Sequence, residues 1–253
     1  KVMTHSGCDH LCPLPLALRK SSPMNPRQSQ ILRLVVDEYV RTAEPVSSQS
    51  LCARHDLDCS PATVRNDMMA LEEEGYVYSP HTSSGRVPTE EGYRYYLANF
   101  LRPKVPKAST ELREAMDQVR SLESKIQTLG RRLADLSGDA VVMTNEHQTS
   151  ALGVANLLRK PDFQESNMLL ALAEDIERLE RDATSVMSVA PSEVQILLGE
   201  ESPMGKRLAT VIVRHQLPNG EVGVLSIVGP LRMNYARNVA LLSEAKRILE
   251  EIE

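Results

Sequence analysis

The stretch that decides the fold is residues 61–75, which read PATVRNDMMALEEEG. Ser60 can cap a helix here, and Pro61 suits the first helical position because its missing N–H is not needed there. Three apolar side chains recur at the spacing of one helical face: Val64, Met68 and Leu71. Gly75 then ends the helix, since glycine accepts the left-handed conformation of a C-cap.

The polar side chains Thr63, Arg65 and Asn66 lie toward the other faces of this helix. Arginine can hydrogen-bond both acceptors of a guanine edge and asparagine can pair with adenine, each pair discriminating by about 1–3 kcal/mol. The major groove of DNA, about 12 Å wide, admits a helix. The segment therefore predicts a recognition helix.

Two helices precede the recognition helix. The first is predicted over residues 26–42 from its amphipathic spacing, and Pro45 stops it because a residue before proline avoids the helical conformation. A second, short helix follows, with Ser47 or Ser48 as its cap.

A short ribbon and a fourth helix follow the recognition helix. Residues 76–78 and 86–87 predict two strands around a turn-rich loop, and Thr89 caps a helix that ends near Phe100. Three helices followed by a two-stranded ribbon predict a winged helix-turn-helix over residues 24–104.

Candidate DNA-contacting residues come from the second helix, the recognition helix and the wing. They are Ser47, Ser48, Gln49, Ser60, Thr63, Arg65, Asn66, His81, Thr82, Ser83, Ser84 and Arg86. Polar side chains at a helix N-terminus suit phosphate contact. The small hydroxyls of the wing allow its backbone to approach phosphates, and we expect Arg86 to add charge in a minor groove.

A second type of pattern begins after Pro103 and Pro106. Apolar side chains alternate spacings of three and four, which is typical of a coiled coil and predicts one continuous helix over residues 109–136 inside a linker over 105–138. Six of these positions are predicted to form a dimer seam: Leu112, Val119, Leu122, Ile126, Leu129 and Leu133.

The remainder, residues 139–253, mixes strands and helices, so the predicted class is α+β. The predicted elements are a strand over 139–144, a helix over 161–181, a strand over 194–198, a hairpin of 208–216 and 222–228, and a helix over 234–253. The hairpin turn is marked by Pro218, Asn219 and Gly220.

Composition excludes several classes of protein. The chain has 253 residues and a net charge of −5, and no apolar run approaches the roughly 18 residues needed to span a bilayer. The six histidines are scattered and no glycine-rich phosphate loop or nucleophile motif is present, so we expect no enzyme and no cofactor.

The cysteines indicate reduced thiols and a cytoplasmic location. Cys8, His10 and Cys12 resemble half of a metal site, but a zinc site usually needs a second ligand pair, and we expect no metal. Residues 1–23 are expected to be a disordered extension.

Charge leaves an alternative open for the winged helix. Residues 24–104 carry nine lysines and arginines against eleven acidic residues, so the segment is not basic overall. Because nonspecific DNA affinity grows with the phosphates that are neutralised, such a segment can also be a protein-interaction module without DNA binding.

Long motifs resemble the family of heat-inducible transcription repressors called HrcA. The stretches that carry the resemblance are residues 27–39, 61–75, 80–96, 152–158 with 161–163, 196–201, 224–236 and the last helix. Together they extend over nearly all of residues 24–253.

The resemblance implies a homodimer that binds an inverted-repeat operator, called CIRCE, upstream of chaperone genes. It also implies a GAF-like regulatory domain after the linker and a chaperonin, GroEL, that promotes the active repressor. A third hypothesis is that the GAF-like part senses a small molecule.

This sequence departs from the family pattern at one place. Residues 141–145 pass almost directly to residues 151–156, where the family has a long intervening stretch. We therefore expect a truncated GAF-like domain over 139–253, with dimerisation that is impaired or dependent on the heptad seam.

Overall fold

The computed structural model describes residues 24–81, 85–102, 108–117, 119–146, 148–164, 174, 186–188, 190–203, 205 and 207–252. The expectations for residues 1–23, and those for Thr82, Ser83 and Ser84, lie outside these ranges. Within them, no helix is long and apolar enough to cross a membrane. No group of three or more His, Cys, Asp or Glu side chains in the same ranges is arranged to hold a metal ion.

The N-terminal unit, residues 24–102, begins with three helices. They are α1 (Pro26–Thr42), α2 (Ser48–Arg54) and α3 (Pro61–Glu73), close to the predicted bounds. Each helix has a side-chain cap, from Asn25, Ser47 and Ser60 respectively. These caps satisfy backbone N–H groups that have no partner inside the helix, which fixes where each helix starts.

A small antiparallel ribbon follows α3. Strand β1 (Val77–Tyr78) pairs with β2 (Val87–Pro88), and Thr89 caps α4 (Glu90–Phe100). The segment between α1 and α2 joins this ribbon, because Val46 and Arg86 exchange backbone hydrogen bonds of 2.9 and 2.8 Å. Gly85 permits the approach, since a Cβ there would lie 2.4 Å from the carbonyl of Val46.

The predicted continuous helix over residues 109–136 is wrong. The chain forms two helices that pack against each other, α5 (Ala108–Asp117) and α6 (Leu122–Ser137). Ser121 starts the second one by accepting a hydrogen bond from the backbone N–H of Ser124 at 3.3 Å. A polar cap therefore interrupts the apolar repeat at the point where the chain turns.

The predicted dimer seam is also wrong for three of its six residues. Leu112, Leu129 and Leu133 have no exposed surface, because they pack inside the core of their own chain. Val119, Leu122 and Ile126 are half-buried. The heptad spacing thus reflects packing within one chain at these three positions rather than a coiled coil between two chains.

A five-stranded antiparallel sheet forms the centre of the C-terminal unit, residues 108–252. Its strands are β3 (Ala140–Asn145), β4 (Thr149–Leu152), β5 (Gln195–Leu197), β6 (Leu208–Gln216) and β7 (Val222–Pro230), in the spatial order β4-β3-β7-β6-β5. The predicted hairpin of β6 and β7 is confirmed, and β4 is a strand that the sequence did not predict.

Helices lie on this sheet. Helix α7 (Val154–Leu158) and a 3-10 turn (Pro161–Phe163) follow β4, a second 3-10 turn (Gly199–Glu201) follows β5, and α8 (Tyr235–Glu251) ends the unit. Helices α6 and α8 pack on the sheet and α5 packs on both of them. Of the predicted helix over 161–181, residues 165–173 and 175–181 lie outside the described part of the chain.

Candidate nucleic-acid interface

Helix α3 has one anchored face and one exposed face. Val64 and Leu71 are fully buried and Met68 is 3% exposed, as the spacing predicts. Arg65 and Asn66, the two residues expected to read bases, are exposed. Since the buried face fixes the rotation of the helix, the direction in which both polar side chains project is fixed as well.

An ion pair adds to the anchoring of α3. Arg27, at the start of α1, donates from Nε and Nη2 to the two carboxylate oxygens of Asp67 at 2.6 and 3.1 Å. Only 7% of the Asp67 side chain is exposed. The hydrogen bond to this carboxylate raises the pKa of Arg27.

Sequence reasoning missed this pair, although a signal was present. Asp67 stands at the third residue after Val64, inside the apolar face of α3. A carboxylate at a buried position needs a partner, so its location predicts a nearby cation.

The hydroxyls predicted to contact phosphates are partly engaged inside the chain. Ser47 Oγ accepts from the Ser50 backbone N–H at 3.0 Å, and Ser60 Oγ accepts from the Thr63 N–H at 3.2 Å. Both hydroxyls therefore serve as helix caps. Gln49 is exposed and Ser48 is half-buried.

Glu72 connects α3 to the two ends of the loop between β1 and β2, the predicted wing. Its carboxylate accepts from the Ser79 backbone N–H at 2.9 Å and pairs with Arg86 Nη2 at 2.8 Å. Arg86 also donates from Nη1 to Ser79 Oγ at 2.6 Å. Three residues thus form a brace across the base of the wing, which we call the wing brace.

The wing brace corrects the expectation for Arg86. Its side chain is 17% exposed and its guanidinium is directed to Glu72 and Ser79. An arginine held by an internal carboxylate positions the wing instead of extending into a groove. His81 at the described edge of the wing is exposed.

A buried carboxylate also ties α2 to α1. Glu38 on α1 is 8% exposed and pairs with Arg41 at 2.6 Å and with Arg54, and its other carboxylate oxygen lies 3.3 Å from His55 Nε2. Burial alone would raise the pKa of Glu38, but the hydrogen bonds from Arg41 and Arg54 lower it further than burial raises it. The net effect is a lowered pKa, so the Glu38 carboxylate stays charged at pH values below the ordinary pKa of a glutamate.

Comparison with solved structures shows the fold. The crystal structure of a hypothetical protein superposes with a TM-score of 0.70 at 18% identity, covering 90% of this chain and 98% of that one. At this identity the match supports the architecture of both units and nothing about activity.

The family follows from sequence comparison. The family described as HrcA protein C terminal domain matches residues 90–239, from α4 into α8. This chain belongs to the HrcA family.

Two similar proteins from different organisms carry the same name. The heat-inducible transcription repressor HrcA of Bifidobacterium animalis subsp. lactis is 44% identical over 121 residues, which are 47% of this chain and 33% of that protein. The protein of that name from Thermosynechococcus vestitus is 28% identical over 342 aligned positions, covering 90% of this chain and 97% of that protein.

The lengths of these matches show that both relatives are longer than this chain. The chain spans about a third of the length of the Bifidobacterium relatives that it matches. The alignment to the Thermosynechococcus repressor is longer than the 253 residues of this chain, so that protein contains segments without a counterpart here.

Proposed function

We propose that this chain is a DNA-binding transcription repressor whose N-terminal unit is a winged helix-turn-helix. In this account α3 enters the major groove and β1 with β2 forms the wing. The observation that carries the proposal is the exposure of Arg65 and Asn66 on a helix whose opposite side is locked by the core and by Asp67. Rigid presentation of two base-reading side chains is what sequence recognition requires.

The proposed target is the inverted-repeat operator of CIRCE type, upstream of heat-shock chaperone genes. Relatives at 44% and 28% identity are named heat-inducible transcription repressors, which supports this assignment. Repression then results from operator occupancy, with no chemistry on the DNA.

The charge of residues 24–104 indicates how much of the DNA affinity comes from phosphates and how much from base contacts. Residues 24–104 are slightly acidic, so counterion release contributes little and base contacts must supply a large share of the affinity. Gln49 and the α2 terminus are proposed to contact phosphates, with the loop 81–84 of the wing on the flanking backbone.

An inverted repeat calls for two copies of the chain related by twofold symmetry. We therefore propose a homodimer. Since Leu112, Leu129 and Leu133 are buried, the dimer cannot use the whole heptad seam, and Val119, Leu122 and Ile126 are the seam residues with surface to contribute. GroEL is a proposed partner that increases the active fraction.

A gel-shift titration tests the proposal. The 253-residue chain is titrated against an inverted-repeat duplex and a scrambled duplex of equal composition. Arg65→Ala is expected to weaken binding to the repeat by about 5- to 150-fold, the loss of one bidentate base contact. Arg131→Ala, which removes an exposed arginine from α6, serves as the matched control and is expected to bind like the wild type.

The same titration has a contradicting result. Equal affinity for both duplexes, or an Arg65→Ala protein that binds as well as Arg131→Ala, would count against α3 as the reading element. Absence of binding to either duplex would favour the protein-interaction module.

A further inference from the structure

A small pocket lies at the end of the sheet in the C-terminal unit, and none of its lining residues belongs to the N-terminal unit that contains α3. Its walls come from the start of α6, the end of β3, and the hairpin of β6 and β7. The cavity measures about 60 Å³. A single water needs about 10–15 Å³ of such space, so the cavity has room for a ligand of a few heavy atoms.

The pocket contains a nearly buried imidazole. His215 on β6 lines the cavity and is 7% exposed. Its Nδ1 is buried and has no hydrogen-bond partner among the described residues. A buried polar atom without a partner costs free energy, which a water or a small ligand that reaches this nitrogen would recover.

The backbone around His215 makes room for its ring. His215 stands opposite Gly223 on β7, and a Cβ at position 223 would lie 2.6 Å from the imidazole Nε2. Any larger residue would push the ring away from the strand.

The protonation state of His215 defines what it can bind. Burial lowers the pKa of His215 to about 4, so the ring is neutral at neutral pH. A neutral imidazole has one donor nitrogen and one acceptor nitrogen. It therefore suits a hydroxyl or an amine, each of which can donate to the acceptor.

The other residues that line the pocket determine which ligand charge it can accept. Ile126, Met143 and Leu217 supply apolar walls, and Glu221 is exposed. Glu221 lies two residues before Gly223, about 7 Å along the chain, and alternation puts it on the same side of the sheet as His215. None of the described lining residues is a lysine or arginine. Lys246 and Glu250 of α8 also act on His215, but they pair with each other at 3.1 Å, so Glu221 is the charged residue of the lining that a ligand would meet.

We propose that this pocket is a binding site for a small neutral or cationic molecule with a hydroxyl or amine, of which a short amino alcohol is the simplest form. The hydroxyl pairs with His215, the carbon chain lies against the apolar walls, and the ammonium group pairs with Glu221. This site is separate from the DNA-binding surface and does not depend on it.

Nuclear magnetic resonance on the full chain without DNA tests the proposal. The probe is 3-amino-1-propanol, compared with 1-butanol, which lacks the ammonium group, and with 3-hydroxypropanoate, which carries a negative charge. Saturable shifts of the Gly223 amide and the His215 ring in the millimolar range are expected for the amino alcohol, as suits five heavy atoms. Butanol should bind at least threefold more weakly, and the anion at least tenfold.

Two variants locate the site. Gln127→Trp adds a large side chain at the pocket lining and should abolish the shifts, whereas Arg131→Trp, one helical turn further on an exposed position of α6, should leave them unchanged. His215→Leu replaces the imidazole with an apolar side chain of similar size and should remove the preference for amino alcohol over butanol.

The proposal is wrong if no probe gives a saturable shift, since the cavity would then be a hydrated void. It is equally wrong if the anion binds as well as the amino alcohol, or if Gln127→Trp retains binding. Gel shifts with these variants keep the two proposals apart, because loss of the pocket leaves operator affinity intact.

Discussion

Arg94 of α4 and Glu201 of the 3-10 turn after β5 join the two units of the chain. Arg94 Nη1 lies 3.0 Å from both carboxylate oxygens of Glu201, and its Nη2 donates to Glu90 at 2.7 Å and to the Leu198 carbonyl at 3.3 Å. The Arg94 side chain is 13% exposed. One guanidinium therefore links α4 of the N-terminal unit to the five-stranded sheet of the C-terminal unit.

The packing beneath this ion pair also joins the two units of the chain. Tyr93 of α4 lies against Tyr235 of α8 with ring centroids 6.1 Å apart. Gly199 leaves space for the Glu90 carboxylate, because a Cβ there would lie 2.1 Å from it. A single hydrophobic cluster continues from α1 and α4 into the sheet and α8.

We expect Arg94→Ala to weaken the coupling of the two units. Glu201 is 46% exposed and solvent screens the pair, so a double-mutant cycle with Glu201→Ala should give a coupling free energy of about 0.5–1 kcal/mol. Denaturant unfolding monitored separately in each unit measures it. Arg132→Ala, at an exposed position of α6, is the control. Additive single effects would show that the ion pair does not couple the units.

Glu38→Gln should lower stability in a manner that depends on pH. The pKa of Glu38 is lower in the folded chain than its ordinary value near 4.5. Its charge therefore stabilises the fold above that value, and this contribution is lost as pH falls through the lowered folded pKa.

The measurement is urea unfolding of both proteins at several pH values. The wild type should exceed Glu38→Gln by about 1 kcal/mol at pH 7, a value discounted for the exposed arginines. The difference should shrink below pH 4. Glu44→Gln removes an exposed carboxylate two residues after the end of α1 and should show no such trend. A difference that stays constant from pH 7 to pH 3 would refute the assigned role of the Glu38 charge.

Sequence patterns predicted the N-terminal unit well because its signals are local. Asn25-Pro26 and Ser60-Pro61 specify helix starts through chemistry contained in a few residues, and both starts occur where they were expected. The exposed positions of Arg65 and Asn66 follow from the same helical period.

Other features depend on partners far along the chain. The heptads of residues 109–136 cannot distinguish a partner helix in another chain from α8 and the sheet in the same chain. The wing brace depends on Glu72 meeting Arg86 across a turn. The pocket at His215 depends on the register of β6 and β7, which periodicity alone does not give.

The wing brace predicts an effect on DNA binding without loss of the fold. Glu72→Gln weakens the hold on Arg86 and on the Ser79 N–H, so the wing should lose its fixed position. Operator affinity is expected to fall roughly fivefold, equivalent to about 1 kcal/mol. Fluorescence anisotropy with a labelled operator measures this change.

Glu73→Gln is the matched control for that experiment. It removes the same charge from the next residue, which is exposed, and should raise affinity slightly by reducing repulsion from phosphates. If both variants change affinity in the same direction and by the same factor, the brace has no role beyond its charge.

The central claim is that Arg65 reads a guanine edge from the major groove, and methylation interference tests it most directly. Methylation at guanine N7 blocks that edge, so the account predicts a symmetric pair of interfering guanines, one in each half of the inverted repeat, for the wild-type protein. Arg65→Ala should lose interference at that pair alone. The account would be contradicted if methylation at no guanine N7 interfered with binding, or if Arg65→Ala gave the same interference pattern as the wild type.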